Sequence, residues 1–393
     1  MLRSMYSGIS GLKNFQTKLD VIGNNIANVN TYGFKKGRVT FKDTMNQTIA
    51  GASAATENRG GKNPTQVGLG ATLATIDTIH TQSSLQTTGR SLDLAIDGDG
   101  YFIVRQGNAN FYTRAGNFYL DNDGTLVNGD GLKIQAYNNN GVLGDVVVNV
   151  NAVLPAIATT NINISENLSN QATVGTVFDQ QIEVIDEEGN AHRIDVVFTK
   201  ADADTWTLVF NGDNANAITL DFDNTTGELT NTSSTTYNFT IPDGNGNTMT
   251  IDLNFNGLTH NPGSSSAILV PDGNTEGMLE SFNIGAQGEL NGVYSNGLVR
   301  QIGILALAKF SNSSGLTKAG NNLFQESINS GTANIGLPGE GRGTIASGAL
   351  EMSNVDLSEE FTEMIVAQRG FQANTRIITT SDEILQELVN LKR

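Results

Sequence analysis

The chain has 393 residues, a formal net charge of −17, no cysteine and only 16% charged residues, against about 25% in an ordinary globular chain. That length exceeds what one hydrophobic core fills, so more than one compact unit is expected, and the missing cysteines exclude a disulfide scaffold, thiolate metal sites and a cysteine nucleophile. No basic-then-apolar leader opens the chain, and its longest clean apolar run, residues 302–308, is far short of the about 20 residues that span a bilayer, so export without a cleavable signal and no membrane insertion are expected.

The first predicted element is a helix. Leu2, Met5, Ile9, Leu12, Gln16, Leu19, Gly23 and Ile26 step by three and four, with Phe15 and Ile22 widening the stripe, which is a heptad seam with two weak positions. Asn24, Asn25, Asn28 and Asn30 end it, because a short amide competes for backbone hydrogen bonds and tolerates the left-handed conformation that closes a helix. Residues 1–42 hold seven Lys or Arg against one acid, Asp20, which reads as a solvated basic face. From Gly33 to about Gly70, including "GASAATENRGGKNPT", large apolar residues are too few for the segment to fold alone, and an irregular stretch is expected.

Period two then takes over. "LDLAIDGDGYFIV" and "FYTRAGNFYLDNDGTLVN" read as short strands punctuated by Asp-Gly turns. Residues 151–299 carry two basic residues, Arg193 and Lys200, against nineteen acids, so the whole negative charge belongs to this segment. That marks a separately solvated domain and argues against nucleic acid as a partner. Within it Ile194, Val196 and Phe198 alternate inward, Trp206, Leu208 and Phe210 repeat the alternation, and Tyr237, Phe239 and Ile241 face Met249, Ile251, Leu253 and Phe255 across the turn "PDGNGN". This predicts an antiparallel β domain, with sandwich or barrel left open.

The C-terminus mirrors the start. Leu357, Phe361, Met364, Gln368, Phe371, Thr375, Ile378, Asp382, Leu385 and Val389 follow the same step, and Asp356 with Glu359 forms a capping-box pattern. Two narrow apolar stripes at opposite ends of a chain are hidden only against each other or against other subunits.

Searches for chemistry return little. His80, His192 and His260 are far apart and outside any metal-binding spacing. "GGKN" and "GEGRG" lack the flanking elements of phosphate loops, and "DGDG" and "DNDG" lack the ligand ladder of a calcium loop. No catalytic, metal or cofactor-binding residue is expected, and the chain reads as a non-enzyme. The competing class is an enzyme or a calcium-dependent surface adhesin built on the β insert.

The opening "SGISGLKNFQTKLDVIGNNIANVNTYGFKK", the internal "AIDGDGYFIV" and "YTRAGNFYLDNDGTLV", and the closing "SGALEMSNVDLSEEFTEMIVAQRGFQANTRIITTSDEILQELVNL" resemble the bacterial flagellar axial proteins of the rod and hook family. Within it, "VIDEEGNAHRIDVVFTKADADTWTLVF" and "GVYSNGLVRQIGILALAKFSNSSGL" resemble the hook branch, and the length and acidic insert favour hook over distal rod. The resemblance implies a multidomain subunit: terminal helices, 1–32 and 355–393, paired as a coiled coil that lines a central export channel; a linker, 33–70; an inner β domain, 71–150 with 278–354; and an outer acidic β domain, 151–277, inserted in it.

Its assembly seam is then Leu2, Met5, Ile9, Leu12, Leu19, Ile26, Leu357, Phe361, Met364, Phe371, Ile378 and Leu385, and its helix-end and turn motif Asn24, Asn25, Asn28, Asn30 and Gly33. The implied function is a curved helical homopolymer, a universal joint passing torque from rod to filament on the outside of the cell. Implied partners are further copies of itself, the rod, hook-cap and hook–filament junction proteins and the flagellar type III export apparatus, with no cofactor.

Overall fold

In the computed structural model, which describes all residues except 1, 56–58, 150–152, 214–215, 232–233, 241–247 and 392–393, the chain divides into two compact units. Unit one comprises Met1–Val148, Asn283–Asn291 and Gln301–Arg393; unit two comprises Asn149–Phe282 and Gly292–Arg300.

Unit one begins with helix α1, Leu2–Ala27, and ends with α2, Leu357–Asn390. Asp356 caps α2 by accepting from the amides of Ser358 at 2.8 Å and Glu359 at 3.3 Å. The Glu359 carboxylate turns instead to Lys36 Nζ, 2.7 Å away, so only half of the expected capping box forms.

The stretch expected to be irregular is paired. Strand β1, Gly37–Asp43, runs antiparallel to β4, Ala71–Thr78, and β2, Asn46–Ala50, to β3, Thr65–Gly68. Bonds from Thr44 N–H to Gly70 O and from Leu69 N–H to Met45 O, with a bridge between Ser53 and Lys62, join the two ladders into one long ribbon. β2 and β3 pair inside the segment, and β1 takes its partner from residues 71–78 just beyond it. Gly70, at φ +117°, seats the ribbon against Ser7 and Ser10 of α1, and Gly37 lies beside Val21.

The β body of unit one is built from short antiparallel pairs. Tyr101–Gln106 pairs with Ala109–Thr113, Lys133–Asn138 and Leu307–Lys309. Leu94–Asp97 pairs with Thr344–Ser347, and Leu85–Thr87 with Ala349–Glu351. Leu94, Ala95, Ile96, Phe102 and Phe118 are fully buried. Beside them, Tyr101, Tyr112, Phe310 and Phe324 close a second cluster, their rings meeting edge to face. The Asp-Gly pairs make turns: Gly124, at φ +76°, donates to Asp121 O, and the Asp121 carboxylate accepts from Asp123 N–H.

Unit two is a β-sandwich. One sheet is an antiparallel meander of Val177–Ile185, Ala191–Lys200, Thr205–Phe210 and Ile218–Asp221. The other orders Ser234–Thr240, Thr248–Thr259, Asn161–Asn167 and Ile268–Pro271. Ile194, Val196, Phe198, Trp206, Leu208 and Phe210 meet Ile162, Ile164, Ile251, Leu253 and Phe255 in a single core, the inward set the alternation requires. One expectation is corrected: Asn161–Asn167 runs parallel to Thr248–Thr259. The whole first sheet lies between them in sequence, and so long a crossover permits parallel pairing, which a hairpin does not. The turn 242–247, with Ile241, lies outside the described residues.

Candidate assembly site: the helix pair and the junction at its base

Helices α1 and α2 lie antiparallel. Successive contacts bring Gly8 beside Ile378, Gly11 beside Asn374 and Phe15 beside Gly370, then Lys18 Nζ to Glu363 Oε2 at 3.1 Å and Asn25 Nδ2 to Glu360 Oε2 at 3.1 Å. The approach is close because the facing residues are small: a Cβ added at Gly370 would stand 2.5 Å from the Phe15 ring, and one at Gly11 2.8 Å from Asn374 Oδ1. The most buried positions of the pair are Gly8, Ile22 and Asn25 on α1 and Glu360, Ala367 and Ser381 on α2. Burial raises the Glu360 carboxyl above the ordinary range, with the Asn25 hydrogen bond opposing.

The predicted seam residues divide. Met5, Leu12, Leu19, Ile26, Met364, Ile378 and Leu385 are half-buried, and Ile378 meets α1 at Gly8. Ile9, Leu357, Phe361 and Phe371 are exposed, together with Tyr6, Ile365, Val366, Ile377 and Ile384. The Leu2 side chain lies outside the described residues. Sequence reasoning placed Phe15 on the stripe but missed Gly8, Gly11, Lys18, Ala367, Gly370 and Asn374; the spacing of the glycines and of the small residues 367, 370 and 374 was the available signal.

At the base of the pair the asparagine motif turns the chain. Asn28 Nδ2 donates to Asn24 O across the last helical turn; Asn24 and Asn30 are exposed. Asn25, 2% exposed, uses its amide as a strand edge: Oδ1 accepts from Gly37 N–H and Nδ2 donates to Gly37 O, both at 2.9 Å. With its bond to Glu360 it ties α1, β1 and α2 together. Gly33, at φ +69°, donates to Glu351 O at 2.8 Å, and a Cβ there would strike the backbone of Arg114 and Ala115 at 2.6 Å.

Two residues further on, Lys35, expected on a solvated face, is buried. Its Nζ lies 2.6 Å from Glu351 Oε1 and 2.8 Å from Thr81 O. Glu351 Oε2 lies 3.3 Å from Arg114 Nη1, and Ser83 N–H donates to Glu351 Oε1. Burial pulls the Lys35 ammonium below the ordinary lysine range against the opposing pull of Glu351. Arg114 also stands over the Tyr101 ring, whose hydroxyl is 2.7 Å from His80 Nδ1. Burial pushes the His80 imidazole down to about 4, and Lys35, Arg114 and Lys318 act in the same direction.

The motifs that carry the family resemblance therefore meet at one place: "TYGFKK" supplies Gly33 and Lys35, "YTRAGNF" supplies Arg114, and "SGALEMSN" supplies Glu351 and Asn354, whose Oδ1 takes Lys36 N–H at 2.7 Å. Three family models match these segments: "Flagella basal body rod protein" over residues 5–35, "Flagellar hook protein FlgE/F/G D1 domain" over 95–176, and "Flagellar basal body rod FlgEFG protein C-terminal" over 346–391. The chain is 42% identical to the flagellar hook protein FlgE of Borreliella burgdorferi over the whole of both chains. The chain belongs to the flagellar hook and rod protein family. The flagellar basal-body rod protein FlgG of Bacillus subtilis is 43% identical, again over the whole of both chains, and FlgE of Escherichia coli 35% over 98% of each. A crystal structure of Helicobacter pylori hook protein FlgE2 matches with a TM-score of 0.55 at 13% identity, covering 68% of this chain and all of that one. Since a relative with a rod name spans the acidic β unit too, length and insert do not by themselves separate the hook and rod branches of this family.

Proposed function

We propose that this chain is the structural, non-enzymatic subunit of the bacterial flagellar hook, polymerising into a curved tube that passes torque from rod to filament. The observation that carries the reading is the helix pair itself. Along its inner seam Gly8 and Gly370 receive Ile378 and Phe15, while Ile9, Phe361, Ile365, Ile377 and Ile384 are exposed, and such a face needs neighbours. Hook proteins matched over the whole chain support the same branch.

In this reading the pair forms a coiled coil lining the export channel and assembles through Leu2, Met5, Ile9, Leu12, Leu19, Ile26, Leu357, Phe361, Met364, Phe371, Ile378 and Leu385. Residues 33–70 link the pair to an inner β domain, 71–150 with 278–354, and residues 151–277 form an outer domain inserted in it. The subunit leaves the cell through the flagellar type III apparatus and meets the rod, the hook cap and the hook–filament junction proteins. Contacts between unlike patches generate an open helix, which a tube requires. No described helix is long and apolar enough to cross a membrane.

A second reading, a distal rod subunit, is supported by the rod-named relative of equal span. Gene deletion with electron microscopy separates them. Loss of hooks with rods intact supports the hook subunit; loss of the rod supports the second reading; tubes of hook dimensions in the deletion strain overturn the first.

A further inference from the structure

Unit two buries a histidine in a place that offers nothing to a charge. His260, the residue after Thr248–Thr259, is 2% exposed, and its ring stacks on Phe222 with centroids 4.9 Å apart. Among the described residues neither of its ring nitrogens has a hydrogen-bond partner. A ring so placed is held neutral, because a charge there loses its water and gains no bond in exchange. Burial and then Lys200 hold the imidazole below the ordinary histidine range, with Asp204 and the Ser169 backbone pulling the other way. Lys200 is itself buried, and among the described residues its Nζ meets carbonyls rather than a carboxylate, Asn170 O at 2.7 Å and Ser169 O at 3.3 Å. Of the other segments around the ring, 167–170 and 261–266 bring no ionisable side chain. Glu166 and Glu228 are exposed, and the Asp223 carboxylate takes Thr225 N–H.

The same residues hold one end of the sandwich shut. His260 N–H donates to Gly227 O and Leu168 N–H to Thr259 O, both at 2.8 Å, and Asn261 N–H donates to Asn167 Oδ1 at 2.7 Å. Lys200 ties Asn170 to the first sheet. Glu166, at φ +76°, has a left-handed backbone that strains a residue other than glycine. Trp206 belongs to the cluster as well: Lys200 Nζ stands 5.8 Å from the centre of its ring, which is fully buried and whose Nε1 also has no partner among the described residues. The unit's other histidine is built the opposite way, since His192 Nε2 lies 2.8 Å from Asp186 Oδ2, a carboxylate that suits a charged ring.

We propose that His260 is an acid-operated latch: once its ring takes a proton, the charge is not retained between Phe222 and Lys200, and the end of unit two closed by residues 166–170, 223–229 and 259–266 opens to water while the two sheets stay folded. Because the closed fold keeps the ring neutral, closure is complete above the ordinary histidine value near 6.5 and is lost as pH falls below it. That range lies above the ordinary carboxylate values near 4, so the end opens while the acidic surface of the unit is still ionised. The inference stands apart from how copies assemble.

Hydrogen exchange of the full chain, read by mass spectrometry at pH 7.5 and pH 5 and corrected for the intrinsic rate at each pH, tests it. Exchange in 166–170 and 259–266 should rise about tenfold at the lower pH while 191–200, within the first sheet, stays protected, and iodide should quench Trp206 only at the lower pH. His260→Phe keeps a ring on Phe222 and removes the proton site, and should abolish both changes. An end that stays protected at pH 5, a rise that persists in His260→Phe, or loss of protection in 191–200 together with the end overturns the proposal. The wild-type chain decides even if that variant does not fold: imidazole NMR should show His260 taking its proton in the same pH range in which exchange rises, and a His260 that titrates while the end stays protected overturns the latch.

Discussion

Replacing Glu351 by Ala removes the carboxylate that faces Lys35 Nζ at 2.6 Å and Arg114 Nη1 at 3.3 Å, in a place where the three side chains are 0 to 4% exposed. Two cations then remain buried without their counter-charge. Breaking a buried ion pair from one side costs about 3–5 kcal/mol, and the higher end applies here because Ser83 N–H loses its acceptor too. For a unit of this size 1 kcal/mol moves the midpoint by roughly 2–4 °C, so a fall of about 10 °C is expected. Scanning calorimetry of the full chain reads it, and Trp206, the single tryptophan and buried in unit two, marks by its fluorescence which transition belongs to that unit and should not move. Lys36→Ala, which removes a pair whose Glu359 side chain is 55% exposed, is the control and should cost under about 1 kcal/mol. A Glu351→Ala loss as small as the control's would mean that water reaches both cations, and would refute the claim that this junction is a closed electrostatic unit.

Trp206→Ala should destabilise unit two by about 3–5 kcal/mol, since the ring is fully buried between sheets; urea titration followed by circular dichroism measures it. His80 titrates near 4 in the fold and near 6.5 when unfolded, so between those values the unfolded chain binds more protons and stability falls on acidification. A loss of about 2 kcal/mol between pH 7 and pH 5 is expected from this group, and His80→Gln should flatten that part of the stability profile. Gly370→Val forces a branched side chain onto the Phe15 ring and should prevent polymer from pelleting while the tyrosine near-ultraviolet spectrum of the β body stays native. Because isolated helices are marginal in water, ellipticity at 222 nm should deepen when monomer joins polymer; a monomer already as helical as α1 and α2 allow, 26 and 34 residues, would contradict this.

Much of the architecture is readable from periodicity, and the failures have definite physical causes. The step of three and four locates α1 and α2 and the asparagines end α1 near Ala27, because periodicity reports which face is apolar. It does not report what covers that face. Large residues such as Phe361 were expected against the partner helix or against other subunits; within the pair Gly8, Gly11 and Gly370 set the approach and Phe361 stays exposed. Lys35 looks like any member of a basic block; only the fold brings it to Glu351, 316 positions away. The ribbon was hidden because β1 takes its partner from residues 71–78, beyond the segment, and β2 and β3 are separated by an apolar-poor connection. In unit two, by contrast, Trp206, Leu208 and Phe210 declare their inward side by alternation alone.

The small-residue seam and the buried junction have opposite mechanical characters, and their adjacency has a physical logic. Along the helices, the bridge from Lys18 to Glu363 has side chains 24% and 47% exposed, so it is screened by solvent and contributes little. Glycines at the contact raise the entropy lost on ordering. Helix order must therefore be completed from outside, by whatever covers Ile377 and Ile384. At the base the situation reverses: Asn25 locks onto Gly37 and Glu360, and Lys35, Arg114 and Glu351 close on one another with side chains 0 to 4% exposed. A buried ionic cluster of this kind tolerates few alternative arrangements, because any displacement exposes an unpaired charge to a low-dielectric surrounding. The chain thus fixes the direction in which its helices leave the β body while leaving the helices' own stability to their neighbours, so that a subunit reaches a growing end with its geometry set and its apolar surface still to be satisfied.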